Sequence, residues 1–246
     1  MPSTRKSQAL AVPSSFTGFP EAGFRFLAQL KKHNNREWFN EHKRQYREHV
    51  EEPMEALVST VAAKCRAGGL PLYAKEKNPV MRVYRDIRFS RDKTPYKTHV
   101  AAELRRSFSG SSVMLYIHLS PEESFAAAGV WQPDRPLLLS WREAIAQHSG
   151  LFESALAALK RSGLELSQQY SLSSMPRGFG NYADSPLAVW LKLTSFVVSR
   201  PLTENECTGA DLADQVVSFA MAARPLLEFG WQREQVKPAD SSLFTA

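Results

Sequence analysis

Residues 113–119 read Val-Met-Leu-Tyr-Ile-His-Leu, so that every second side chain is aliphatic. A period of two places the aliphatic side chains on one face of a strand and the Met, Tyr and His side chains on the other. The stretch therefore predicts a half-buried strand. One face of its sheet covers a core and the other carries polar and aromatic groups.

The same period extends to both sides of this strand. Residues 98–106 alternate, with Val100, Ala102 and Leu104 on one face, and further strands are predicted at residues 80–88, 125–131 and 195–200. The turns at residues 107–111 and 121–123 are short, and short connections join antiparallel neighbours. The sequence thus predicts a mainly antiparallel sheet of about five strands.

Helical spacing appears before and after the strands. Helices are predicted from Pro20 to about residue 33, from Asn34 or Asn35 to Gly68 with a kink at Pro53, and then over 134–145, 149–161 and 211–224, with a further short helix that starts at Ser185–Pro186. The economical fold is a single α+β domain over residues 20–231, with the sheet flanked by helices. Residues 1–19 and 232–246 are predicted to be tails, the first of them flexible.

Composition limits the class of protein. Of 246 residues, 43% are hydrophobic and 23% are charged, which excludes a disordered, collagenous or coiled-coil chain as the main state. No apolar run approaches the roughly 20 residues of a membrane-spanning helix, and no signal peptide is expected. Two cysteines cannot form a disulfide framework or a cysteine zinc site. We therefore expect a cytoplasmic protein.

The net charge of +6 is concentrated in one segment. Residues 75–106 hold ten basic and four acidic side chains, so this segment carries the whole excess and the rest of the chain is neutral. A local positive field attracts anionic partners such as phosphates, nucleic acids or acidic lipids. An ordinary solvated basic face explains the same charge without any ligand.

Within this segment, Arg85 shares a predicted strand face with Met81, Val83 and Ile87. A desolvated guanidinium is costly unless it is paired, so two interpretations stand. Arg85 is either part of a structural ion pair or a fixed fork of donors for a phosphate or carboxylate ligand.

The candidate site residues follow from the second interpretation. The predicted ligand-binding side chains are cationic or phenolic: Arg82, Arg85, Arg88, Lys93, Tyr96, Lys97 and, from a neighbouring strand, Arg200. The predicted proton-transfer groups are Asp86 and His99, since phosphoryl or acyl chemistry needs a base beside positioned charge. No phosphate-binding loop, dinucleotide fingerprint or metalloprotease motif is present. We expect no metal site, and the sequence specifies no cofactor.

Three functions remain open. The first is a site for a small anion, including an enzyme acting on a phosphorylated or nucleotide-like ligand. The second is a structural or partner-binding protein whose basic segment is an ion-pair network neutralised by Asp86, Asp92 and Glu103. The third is a nucleic-acid-binding module in which Tyr84 or Tyr96 stacks on bases. The sequence does not determine the oligomeric state.

The segment also carries a family resemblance. Its run Phe89-Ser90-Arg91-Asp92-Lys93-Thr94-Pro95-Tyr96-Lys97-Thr98-His99, together with Asn34–Phe39 and Ser195–Leu202, is similar to the blocks of the uncharacterised family known as domain of unknown function number 2461. The resemblance covers roughly residues 20–230. Tyr84 replaces the family's usual asparagine, and Ala126-Ala127-Ala128 replaces a glycine-rich run. The resemblance implies fold boundaries and no reaction.

Overall fold

The structure, a computed structural model, describes residues 16–108 and 111–234. The first half of the fold is helical. The helices are α1 (Glu21–Lys32), α2 (Arg36–Glu41), α3 (Lys43–Tyr46) and α4 (Glu52–Ala67), with a π-helical turn at Arg47–Glu51 between the last two. This turn directly precedes Pro53, where the sequence predicted a kink, because a proline cannot complete the regular bond pattern.

A five-stranded antiparallel sheet follows. Its strands are β1 (Tyr73–Ala74), β2 (Val100–Arg105), β3 (Val113–Leu119), β4 (Ser124–Val130) and β5 (Phe196–Leu202), and they lie side by side in chain order. Between β4 and β5 lie α5 (Arg135–Gln147), α6 (Ser149–Arg161) and α7 (Ala188–Leu191). After β5 come α8 (Glu204–Thr208), α9 (Leu212–Ala222) and α10 (Arg224–Glu234). The predicted α+β fold is confirmed.

The two faces of the sheet differ as the alternation predicts. The aliphatic residues of β3 are fully buried under the helices, with α4 against β2, α9 against β4 and α10 against both β3 and β4. Met114, Tyr116 and His118 point to the other face and are only half-buried. This second face, called the open face below, carries no helix layer within the described residues.

The strand predicted at residues 80–88 is wrong. Only isolated bridges form there, between Val80 and Ala102 and between Tyr84 and Tyr96. After leaving the sheet edge, the chain pairs with itself as an irregular hairpin over residues 82–97. Arg85 N–H donates to the Pro95 carbonyl at 2.9 Å, and Pro95 has no amide hydrogen with which to extend a ladder. The fifth strand is instead β1, which holds the outer edge of β2.

Two helix N-caps predicted from the sequence are present in the structure. Asn35 caps α2 by accepting from the Trp38 amide at 2.9 Å, and Asp134 caps α5 by accepting from the Leu137 amide at 3.0 Å. Helix α10 was not predicted. It extends three residues past the expected domain end at 231, and residues 1–15 and 235–246 of the predicted tails lie outside the described residues.

Candidate functional site

The open face carries a cavity of about 580 Å³. Its floor follows the strand register: Glu103, Tyr116, Ala127 and Ser199 form one cross-strand row, and Met114, Gly129 and Val197 form the next. Ser167, Gln169 and Tyr170, from the connection between α6 and α7, form one side. The cavity is therefore built on four strands of the sheet and is covered in part by one loop.

Small residues on β4 make the floor concave. Gly129 has a φ of +129°, a conformation that side chains rarely adopt. A Cβ atom built there would lie 2.0 Å from the carbonyl oxygen of Phe196 on β5. Glycine is thus required at this position by the close approach of the two strands. Because Gly129 has no side chain and the neighbouring Ala127 has a small one, the middle of the open face is hollow.

Aromatic side chains form the mouth of the cavity. The Trp131 and Tyr170 rings meet edge to face with their centroids 4.3 Å apart, and Tyr116 and Phe125 are tilted neighbours at 5.9 Å. Trp131 is 43% exposed and Met81, on the opposite rim, is 38% exposed. Large apolar groups left open around a hollow are typical of a ligand site.

A pair of histidines with tilted rings in contact adjoins the cavity. The His99 and His118 rings lie 4.2 Å apart, and His118 in turn stacks on Phe125 at 4.8 Å. Tyr116 Oη and His118 Nδ1 are 3.3 Å apart. His99 lies immediately before β2, on the same face as Ala101. Because Ala101 pairs with His118, His99 is the diagonal neighbour of His118 across the two strands.

The electrostatics of this pair favour neutral rings. Burial and then the neighbouring His99 and Lys97 lower the pKa of His118 to about 4. Burial and then Lys97 lower the pKa of His99. Burial and Glu103 raise the pKa of Tyr116. At neutral pH the pair therefore offers unprotonated imidazole nitrogens next to a protonated phenol.

Lys97 lies close enough to the two histidines to affect their pKa values, and Arg82 lies close to Lys97. Over the described residues, no carboxylate lies within ion-pair distance of Lys97 or Arg82. Lys97 is half-buried, and burial and then Arg82 lower its pKa. Both groups were predicted as ligand-binding residues, and the structure places them close enough together to affect one another.

The other predicted cations of the segment are engaged within the hairpin. Arg85 pairs with Asp92 and also donates to the Thr94 hydroxyl. Arg88 pairs with Asp86 at 2.7 Å. Lys93 Nζ donates to the Ile87 carbonyl at 3.0 Å. Three of the predicted binding cations are thus engaged by partners within the hairpin. Lys97 and Arg82 are the two predicted cations of the hairpin that have no such contact in the described residues.

Tyr96 and Asp86 make their contacts with residues other than the two histidines. The Tyr96 side chain is buried, its ring stacked on Phe39 at 4.1 Å, so it cannot stack on a nucleic-acid base in this arrangement. Asp86 is exposed, and hydrogen bonds from Arg88 lower its pKa, which makes it a weak base. Of the two predicted proton-transfer groups, His99 alone adjoins the cavity.

Arg200 belongs to the opposite face of the sheet. It pairs with Ala126 across β4 and β5, and its guanidinium binds Glu206 at 2.5 Å and Gln215 at 3.2 Å. These partners lie on the helices that cover the buried face. Arg200 is therefore separated by the sheet from Lys97 and His99, and the structure does not bring it to the open face.

Metal and thiol chemistry find no support in the described part of the chain. No group of three or more histidine, cysteine or acidic side chains is arranged there so that it could hold a metal ion. Cys65 and Cys207 are both buried, and burial raises the pKa of each thiol to about 11. Both remain protonated at neutral pH and unreactive. None of the described helices is long and apolar enough to cross a bilayer.

Sequence reasoning missed His118, Tyr116 and Asn34 as site residues. The first two were visible as the polar face of β3, but their meeting with His99 depends on the register of β2 against β3. Asn34 was considered only as a cap. Its carboxamide instead binds the backbone of Tyr96 in both directions, at 2.9 and 3.0 Å, and fixes the hairpin that carries Lys97 to the helices.

The fold and site together define an α+β protein with an open-faced antiparallel sheet and a cation-bordered cavity on that face. The chain belongs to the family described as conserved hypothetical protein (DUF2461), whose profile matches residues 22–229. The resemblance read from the basic segment is thereby confirmed. No curated protein and no solved structure matches the chain.

Proposed function

We propose that the open face binds a small organic anion, with its charged group held by Lys97 and Arg82 beside His99. The observation that carries the proposal is the placement of Lys97, with no ion-pair partner in the described residues, beside the His99–His118 pair at the edge of a cavity, with Arg82 close to Lys97. A half-buried ammonium without a carboxylate loses hydration and gains nothing in return. A bound phosphate, sulfate or carboxylate supplies the missing partner.

Charge across the segment supports this choice of residues. The internal pairs of Arg85 and Arg88 leave those guanidinium groups with fewer free donors. Lys97 and Arg82 form no ion pair within the described residues, and Arg82 interacts with Asp86 only at longer range. After burial, the field of Lys97 also lowers the pKa of His99 and of His118, and a bound anion would counteract this field. The anion and a proton on His99 are therefore expected to bind cooperatively, and His99 is the group we assign to proton transfer if the ligand is a substrate.

The first experiment is a thermal-shift titration with inorganic phosphate and sulfate. A ligand at 100 times its dissociation constant stabilises the folded state by about 2.7 kcal/mol, roughly 5–10 °C for a domain of this size. We expect Lys97→Met to abolish the shift. Arg91→Met removes one exposed charge from the same hairpin and should keep it. Equal shifts in all three proteins would refute the assignment.

A second arm uses the linkage between the anion and His99. Sulfate does not change charge near neutrality, so a pH dependence reports the protein. We expect sulfate affinity to rise as the pH falls below about 6.5, the ordinary histidine value. His99→Gln should flatten this profile while keeping part of the binding to Lys97. A sulfate affinity that does not change with pH in the unmodified protein would exclude His99 from the site.

The ion-pair-network interpretation is the second candidate, and the pairs Arg85–Asp92, Arg88–Asp86 and Arg105–Glu103 favour it. It predicts that the segment acts only as scaffolding. Arg85→Met should then lower the melting temperature, and no anion should raise it. If phosphate binds, and if Lys97→Met abolishes this binding while Arg85→Met leaves it unchanged, the result favours the anion site over the ion-pair network.

A further inference from the structure

The cavity on the open face differs in charge from the basic segment. Among the described residues that line it are the carboxylates of Glu103 and Glu123 and no lysine, arginine or histidine. A hollow whose charged groups are all acidic repels an anion and attracts a cation. The ligand of the cavity is therefore expected to be opposite in charge to the anion that we place at Lys97.

Glu103 is the carboxylate that the fold holds in place. It lies opposite Tyr116 across β2 and β3, and its side chain is 26% exposed. Arg105, which does not line the cavity, donates to Oε2 of Glu103 at 2.8 Å, and Oε1 accepts no hydrogen bond within the described residues. Glu103 thus has a fixed orientation and one oxygen left for a ligand. Glu123, in the exposed turn before β4, forms no ion pair in the described part of the chain, so the lining stays net negative when Arg105 is counted.

Aromatic side chains provide the second element of cation recognition. Because Tyr116 is directly opposite Glu103, its ring borders the carboxylate, and the Phe125 ring is tilted against it with the centroids 5.9 Å apart. Trp131 and Tyr170 also line the cavity, with their rings edge to face at 4.3 Å. The face of an aromatic ring carries negative potential and attracts ammonium ions. A carboxylate among such rings therefore suits an organic ammonium ion.

The hollow beside Glu103 has room for an aromatic body. Ala127 occupies the same cross-strand row as Glu103, two strands away, which places the two backbones about 9–10 Å apart. Ala127 and the neighbouring Gly129 leave the space above them open. The cavity volume of about 580 Å³ lies in the range of roughly 300–1,000 Å³ that organic ligands occupy in proteins. A ring joined to an ammonium group by a short alkyl chain covers this distance.

Beyond the anion site, we infer that the cavity is a second ligand site, for an organic ammonium ion that carries an aromatic ring on a short alkyl chain. The ammonium group lies at Oε1 of Glu103 beside the Tyr116 ring, and the aromatic body lies over Ala127. The two sites use different side chains, so failure of either one leaves the other standing.

The test compares three indole compounds of similar size by calorimetry on the full chain. Tryptamine is cationic, 2-(indol-3-yl)ethanol is neutral and indole-3-propionate is anionic, while n-butylamine supplies the cation without a ring. We expect tryptamine to bind at least about tenfold more tightly than each of the other three, because it alone engages both the carboxylate and the aromatic walls.

Three variants locate the site. Glu103→Gln removes the charge and keeps an oxygen for Arg105, so tryptamine and the neutral alcohol should then bind within about twofold of each other. Glu122→Gln is the matched control, because it removes an exposed carboxylate that does not line the cavity, and it should keep the preference for tryptamine. Ala127→Leu fills the floor and should weaken tryptamine binding at least about tenfold.

Each contrary outcome has a separate meaning. Tight binding of the alcohol or of indole-3-propionate, equal to that of tryptamine, overturns a cation site, and equally tight binding of n-butylamine overturns the aromatic body. Equal effects of Glu103→Gln and Glu122→Gln overturn the role of Glu103. Binding of none of the four compounds overturns the site altogether. Ala127→Leu keeps the test decisive if Glu103→Gln does not fold, since an unchanged tryptamine affinity in that variant also overturns the site.

Discussion

Replacing Asn34 by alanine tests whether one side chain holds the basic hairpin to the body of the protein. The Asn34 carboxamide donates to the Tyr96 carbonyl at 2.9 Å and accepts from the Tyr96 amide at 3.0 Å. Tyr96 is only 2% exposed, so water cannot easily replace either bond. The substitution therefore leaves two backbone groups without partners in a covered place.

The magnitude follows from these two bonds. A hydrogen bond contributes about 0.5–1.5 kcal/mol net, and a buried group left unpaired costs about 1–3 kcal/mol. Two such bonds at a half-buried side chain place the loss for Asn34→Ala at about 2–4 kcal/mol in the free energy of unfolding. Asn35→Ala is the matched control: it removes a single cap bond to the exposed end of α2, which costs about 1 kcal/mol.

Urea unfolding of the three proteins, followed by tryptophan fluorescence, measures the difference. The slope with denaturant should stay constant, so that midpoints report stability alone. We further expect Asn34→Ala to weaken phosphate binding, because the hairpin carries Lys97, while Asn35→Ala should not. A loss for Asn34→Ala no larger than that for Asn35→Ala would refute the reasoning.

Three more results are expected. As the pH falls from 6.5 to 4, His118 takes up a proton in the unfolded state before it does so in the folded state, so acid lowers the free energy of unfolding. Urea denaturation should show that the unmodified protein loses about 2–3 kcal/mol more than His118→Gln across this pH range. Arg142→Met should cost about 2–4 kcal/mol in urea unfolding, because this buried guanidinium donates to two backbone carbonyls at 2.8 and 3.0 Å. Gly129→Ala should cost about 3 kcal/mol or more in the same assay, since its Cβ would collide with the Phe196 carbonyl.

Local chemistry explains what the sequence predicts well. The alternation in β3, the proline after the π-helical turn and the caps Asn35 and Asp134 each depend on residues within a few positions, and all are present. Residues 80–88 alternate equally well, yet only Val80 bridges to β2, and the chain beyond it pairs with itself instead. Periodicity specifies an extended segment and does not specify its partner.

The candidate site was harder to predict from the sequence than the fold, because it also depends on which distant residues meet. The basic segment drew attention through its charge, but three of its arginines are paired with acids seven or fewer residues away. The histidine pair depends on the register of two strands, and Asn34 reaches a backbone 62 positions along the chain. Such contacts are decided by the assembled fold, so they leave little trace in a single sequence.

The end of α10 makes a contact with the start of β3 that forms late in synthesis of the chain. Glu234 accepts from the Val113 amide at 2.8 Å and from the Ser112 amide at 2.5 Å, and these residues are separated from it by more than 120 positions. At a translation rate of about 5–20 residues per second, the first residue of β3 waits roughly 6–24 s for this carboxylate to be synthesised. Strand β3 therefore leaves the ribosome long before its first amide can bond to Glu234, and this contact forms only after the last helix has been made.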